Sequence, residues 1–351
     1  MDAPQLTTLR DYVGRGLLSA HEQDGLVIFN YTPRTIYERA WDVVTLQARG
    51  LVLDGSTGTV HARPWPKFFN HNEPDGHVPD GEPNEVTMKL DGSLGIGYVD
   101  ATGTPRFATR GRFDSPQAQT AEALWARDHS GRRWPEAVTP LVEIIDPSTK
   151  VIVQYEWSGL VLLGVRDHNG DDWLRSDVET LAKDLAMRVV ESAPLDRAAL
   201  TAAAQELDHR TEGFVARWGS PKAAHRVKYK SAAYLALARV LSGITERFVG
   251  DCWIARVQLP PDVPEETRQW FDDVVADFET EAQRLAAEIE ALHNALRMDH
   301  PGRKAFAIAA RAYPSRMGLL MARYSDRPLD VRTFVYRERF GNHPRPVPLK
   351  A

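Results

Sequence analysis

With 351 residues, 43% hydrophobic and 26% charged, the chain is long enough for two domains and apolar enough to bury a core in each. A net charge of -5 excludes a uniformly basic nucleic-acid coat, although not a local basic groove, and no apolar run approaches the ~18 residues that a bilayer span needs. The single cysteine, Cys252, excludes an internal disulfide and a multi-cysteine zinc site; with no basic-then-apolar leader in MDAPQLTTLRDY, the expected location is the cytoplasm.

Residues 1–60 are predicted to form a short helix, then strands at Leu26–Tyr31 and Val43–Leu46 continuing through Ala48–Leu53, with a hairpin turn at Asp54–Gly58. His61, His71 and His77 lie in a stretch rich in proline, asparagine and glycine and are expected to be solvated. Within it, Arg63-Pro64-Trp65-Pro66-Lys67-Phe68-Phe69-Asn70 is either a proline-stiffened loop with its phenylalanines in the core or a cation held at a pocket rim.

Thr87-Met88-Lys89-Leu90-Asp91-Gly92-Ser93 sets a lysine between apolar residues, followed at fixed offsets by a carboxylate, a glycine and a hydroxyl. A lysine amine with its ordinary pKa of about 10.4 attacks nothing at neutral pH, but burial or neighbouring cations convert it into a nitrogen nucleophile. The arrangement is expected to be a hairpin presenting an amine, with Asp91 available to a ribose and Gly92 permitting close backbone approach; a surface lysine ahead of an ordinary Asp-Gly turn is the plainer alternative.

Further along, Arg106–Gly111 is a predicted strand, and Ser115 starts a helix with Pro116 at its first position. Leu141–Ile145 is an apolar strand carrying Glu143, which must face solvent or meet a cation or metal. Strands are also expected at Val151–Val153 and Leu160–Val165, and helices at about 176–188 and 196–206. Glu212–Arg217 and Arg226–Lys230 are predicted strands, the second with Lys228 and Lys230 on one face; either both meet solvent or an anion such as a phosphate joins them. From Ser231 the pattern turns helical, and a composition shift over Gly243–Asp262 places the domain boundary so that residues 1–243 and 244–351 are separate, with a frayed tail at Asn342–Pro348.

The order Lys89-x-Asp91-Gly92, Leu141-Val142-Glu143, Glu212-Gly213-Phe214-Val215 and Lys228-Tyr229-Lys230, with Tyr234 one helical turn later, resembles the covalent lysyl-nucleotidyltransferases. Arg49-Gly50, the Arg63–Asn70 segment and Thr109-Arg110-Gly111 make it similar to their ATP-dependent RNA ligases of the bacteriophage RNA ligase 1 type, over residues 45–240. Arg110 departs from the lysine this branch often has. The resemblance implies an α+β fold, an N-terminal nucleotidyltransferase domain of antiparallel sheets flanked by helices plus a smaller all-α C-terminal domain. It implies Lys89 as the nucleophile toward ATP, and Lys228 and Lys230 as groups that depress its pKa and hold the α-phosphate. Glu143 and Glu212, with Asp91, are the implied ligands of Mg²⁺ or Mn²⁺. Arg49, Lys67, Phe69, Gly92, Arg110, Phe214 and Val215 are implied around the nucleotide, and Tyr155–Leu163 beside the adenine. The expected product is RNA joined between a 5′-phosphate and a 3′-hydroxyl, by a protein assumed monomeric. The helical part is expected to help select RNA through Arg303, Lys304 and Arg311. A DNA ligase, a capping-type nucleotidyltransferase and a non-catalytic nucleotide- or RNA-binding module are the alternatives.

Overall fold

The computed structural model describes residues 3–100, 102–147, 152–153, 155–241, 243–259, 265–345 and 347. Two compact units emerge from its packing, Met1–Leu237 and Ala238–Ala351.

The first unit opens with α1 (Leu6–Gly14), whose apolar side packs on the antiparallel sheet β1-β2-β3-β4, comprising Leu18–Gln23, Leu26–Tyr31, Leu51–Asp54 and Val60–Ala62. Strand β1, absent from the sequence expectation, has few β-favouring residues. It forms because Asp24 and Gly25, both at positive φ, make a tight turn that folds it back on β2. Two short helices, α2 (Pro33–Tyr37) and α3 (Val43–Gln47), separate β2 from β3. The strand expected at Val43–Leu46 is therefore a helix. Its β-branched residues suggested extension, but the Asp42 carboxylate accepts the Val44 and Thr45 N–H groups while the Thr45 hydroxyl accepts the Asp42 N–H, a capping box that starts a helix.

The remaining strands are β5 (Phe69–Asn70), β6 (Glu85–Lys89), β7 (Ser93–Val99), β8 (Pro105–Ala108), β9 (Val138–Ile145), β10 (Gly159–Asp167), β11 (Arg188–Val189), β12 (Gly213–Trp218) and β13 (His225–Lys230). They form a four-stranded sheet ordered β5-β13-β12-β6 and a five-stranded sheet ordered β11-β10-β9-β7-β8. Helices α4 (Pro116–Asp128) and α5 (Arg175–Asp184) cover the larger sheet, and α6 (Arg197–Glu206) covers the smaller. Ser115 caps α4 as its sequence predicts, accepting the Ala118 N–H. Of the strand expected at Val151–Val153, Val151 lies outside the described residues, and Ile152 and Val153 form a bend. The expected Lys89 hairpin is corrected too: β6 and β7 belong to different sheets, so Leu90–Gly92 carries the chain from one to the other.

The second unit is helical: α7 (Ala232–Leu241) leads into it, and α8 (Glu246–Ala255), α9 (Glu265–Asp299), α10 (Arg303–Ala309), α11 (Met317–Tyr324) and α12 (Val331–Phe340) follow. Its core gathers Val249, Cys252, Phe278, Ile289, Phe306 and Leu320, all at or near zero exposure. Cys252 is thus a small core residue. No helix among the described residues is long and apolar enough to cross a membrane.

Candidate active site

Three antiparallel strands place the cations. Across β6, β12 and β13, Lys89 lies opposite Gly213 and Gly213 opposite Lys230. Side chains alternate along each strand, so Val86, Phe214, Ala216, Val227 and Tyr229 enter the core beneath α6, while Lys89, Val215, Lys228 and Lys230 take the other face. Phe214, implied near the nucleotide, is thereby corrected to a core residue on the far side of the sheet from Lys89; Val215 shares the lysine face.

Glu212 precedes the central strand and is 3% exposed. It accepts the Lys89 amine at 2.6 Å on one oxygen and Lys230 at 2.7 Å on the other. Burial opposes its ionisation, but Lys230 and Lys89 outweigh burial and hold the carboxyl below its ordinary value. Gly213 makes this approach possible: its φ is +147°, and a Cβ there would lie 2.0 Å from the Tyr229 carbonyl oxygen.

The larger sheet supplies the opposing wall. Glu143 lies between Leu94 and Val161 in register and accepts the Gly92 N–H at 3.0 Å. A Cβ on Gly92 would come 2.4 Å from the Ile144 carbonyl oxygen, so only glycine lets the turn approach β9 this closely. Burial drives the Glu143 pKa up to about 7, with Lys89 opposing and Glu212 adding to the rise. Asp91 is buried and hydrogen-bonded through both oxygens. Its Oδ2 accepts the N–H groups of Ile152 (2.7 Å) and Val153 (2.6 Å), and its Oδ1 accepts the Tyr234 hydroxyl (2.8 Å). Both oxygens therefore bear on the loop's architecture.

The proline-rich segment settles around cations. Lys67 is 5% exposed, lies 4.3 Å above the Phe69 ring and donates to the Phe68 carbonyl. Lys228 is 5.1 Å from the Phe68 ring. The phenylalanines expected in the core are only partly buried, and Phe68 and Phe69 each lie close to a lysine. Arg63, at 1% exposure, donates to Gln47 and to the His168 carbonyl. Trp65 fits against Gly164 of β10, where a Cβ would meet its ring at 2.5 Å, and Arg226 of β13 lies 3.9 Å over the same ring. Asp172 holds that guanidinium at 2.5 Å. Arg49 is half-buried just after α3, next to Gly50, which packs against the Arg110 backbone; exposed Arg110 donates to the Tyr31 hydroxyl at 3.2 Å. His71, expected in solvent, stacks on Tyr229 at 4.7 Å.

Two contacts escaped the sequence. Tyr155 accepts the Asp91 N–H at 2.9 Å, and Asp172 anchors Arg226. Tyr155 stands in the stretch implied beside the adenine and Asp172 in no recognisable pattern, and each partner lies more than fifty positions away.

Among the described residues no three His, Cys, Asp or Glu side chains converge as a metal cage. Mg²⁺ does not need one, because it is commonly bound by one or two carboxylates together with substrate phosphates and waters. Glu143 and Glu212 fit that use as hard oxygen donors.

The family model described as RNA ligase matches residues 47–234, more than half of the chain. The chain belongs to the RNA ligase family. Within this family it is 31% identical over 220 residues to RNA ligase 1 of bacteriophage TS2126, covering 56% of the chain and 52% of that protein. It is 28% identical over 182 residues to a putative RNA ligase of Thermovibrio ammonificans, covering 49% and 47%. The chain thus spans about half the length of these curated relatives. Among solved structures, an archaeal ATP-dependent RNA ligase is similar with a TM-score of 0.49 at 15% identity, covering 87% of this chain and 78% of that one. An RNA ligase of Naegleria gruberi with PPi gives 0.36 at 18%, covering 44% and 51%.

Proposed function

We propose that this member of the RNA ligase family is an ATP-dependent RNA ligase that works through a Lys89–AMP intermediate. The observation that carries the reading is one buried carboxylate, Glu212, shared by Lys89 and Lys230 at the end of three registered strands, with Lys228 on the same face.

Lys89 must first give up its contact with Glu212 and its proton to solvent. Its nitrogen then bonds to the ATP α-phosphorus, the bond to the β-phosphate oxygen breaks, and pyrophosphate leaves. Lys228 and Lys230 face the charge that develops on the α-phosphate. Arg49, Lys67 and Arg110 serve the nucleotide's outer phosphates, and Phe69 and Gly92 fix the walls beside them. Glu143 and Glu212 would hold a divalent cation, Mg²⁺ or Mn²⁺, which when bound supplies charge neutralisation at the phosphates. An oxygen of an RNA 5′-phosphate next attacks the adenylate phosphorus and frees Lys89. Finally an RNA 3′-hydroxyl displaces AMP, forming the phosphodiester.

Incubation with α-labelled ATP and magnesium, followed by denaturing electrophoresis, tests the first step. Label on the wild-type chain and none on Lys89→Ala is the expected result; no label, or label surviving the substitution, rejects the reading. Paired 5′-phosphorylated RNA and DNA strands then separate RNA sealing from DNA sealing, and label from GTP rather than ATP would indicate a capping-type enzyme.

A further inference from the structure

The three residues that follow Lys89 are held mainly by one short segment. Ile152 and Val153 donate their N–H groups to the Asp91 carboxylate, and the Tyr155 hydroxyl accepts the Asp91 N–H at 2.9 Å. Residue 91 is therefore gripped through both its side chain and its peptide by Ile152, Val153 and Tyr155. Glu143, which takes the adjoining Gly92 N–H, and the Tyr234 hydroxyl add contacts from elsewhere. Tyr155 packs against the apolar cluster of Ile145, Val161 and Val190, which Met88 and Leu90, the two neighbours of Lys89, also join, and its ring meets Trp157 edge-on at 5.6 Å. With its ring on the same apolar cluster as the two neighbours of Lys89 and its oxygen on the Asp91 N–H, Tyr155 holds the backbone from which the amine projects.

We infer that Tyr155 is a positioning residue for Lys89, its hydroxyl setting the backbone so that the amine meets the α-phosphate in line; this rests on the ligase reading above. The resemblance put Tyr155 beside the adenine, whereas its hydroxyl is committed to the nucleophile's loop. The requirement belongs to the first step alone, because Lys89 is not the nucleophile when an already adenylylated strand is sealed. A displacement of about 1 Å at a reacting group costs on the order of 100-fold in rate.

Tyr155→Phe keeps the ring and removes the acceptor. The rate of lysyl-AMP formation should fall on the order of 10- to 100-fold while the ATP concentration for half-maximal rate stays within about threefold. Sealing of a chemically pre-adenylylated RNA should fall far less. Hydrogen exchange at the Asp91 amide should quicken relative to the protected amides of β6. Equal losses in both reactions, an unchanged first step, or unchanged Asp91 exchange would overturn the assignment. If Tyr155→Phe does not fold, 3-fluorotyrosine at position 155, a weaker acceptor of similar shape, should give a smaller loss in the same step, and no loss again overturns it. Should the wild-type chain form no lysyl-AMP, the ligase reading fails, and the exchange measurement still decides the Tyr155 contact.

Discussion

Glu143 and Glu212 are carboxylates of one site pulled in opposite directions. Folded Glu143 keeps its proton up to about pH 7, against an ordinary value of 4.5. Between those values the folded chain binds more protons than the unfolded one, so this group's contribution makes stability decline as pH rises from 4.5 to 7, and the deficit persists above 7. Glu212 has the reverse sign: its lowered value stabilises the fold above the unfolded pKa, and that contribution disappears as pH falls through the folded one. Glu143→Gln, which mimics the protonated acid and keeps an oxygen for the Gly92 N–H, should raise the Tm at about pH 8 in chelator and change it little at about pH 5. An equal shift at both pH values would count against burial as the cause. At this scale Lys89, Glu212, Lys228 and Lys230 were legible because their chemistry repeats at short, ordered spacings. The employment of Asp91 was not, since its partners Ile152, Val153 and Tyr234 are joined to it only by the fold.

Elements were legible where one physical signal acted alone. Ser115-Pro116 announced α4, and the continuous apolar run Leu160–Val165 announced β10. Val43-Val44-Thr45 carried two signals, strand-favouring side chains and an N-terminal cap, and the cap prevailed through Asp42. Because the same carboxylate also accepts the Tyr12 hydroxyl at 2.6 Å, it ties α1 to α3. Asp42→Ala should destabilise the first unit by about 1 kcal/mol, the usual cost of a lost cap. Denaturant unfolding followed by circular dichroism measures this; no change in midpoint would show that the cap is dispensable. Whether β6 and β7 form a hairpin or cross between sheets was not readable, since both begin with the same Asp-Gly segment and differ only in the strands that later pair with each.

Across the whole molecule, every residue of the candidate site precedes the end of the first compact unit at Leu237. A chain ending at residue 241, the close of α7, should retain ATP-dependent labelling of Lys89. A folded fragment that takes no label would instead assign part of the chemistry to the helical unit. That unit's helices were legible from period, but its purpose was not, because its charges largely satisfy one another. Arg316 pairs with Glu288 and Glu338, and Arg339 with Glu246 and Asp277. Arg303, Lys304 and Arg311, by contrast, are exposed.

The indole of Trp65 occupies the space that Gly164 leaves vacant and roofs itself with Arg226, so it joins the five-stranded sheet to the sheet of β5, β13, β12 and β6 like a tenon in a mortise. Neither half of such a joint can be exchanged alone. Among descendants of this gene, positions 65 and 164 should drift only as a matched pair, and a laboratory lineage forced to enlarge Gly164 should find its first compensating change at Trp65, far along the chain from the lysine whose surroundings it preserves.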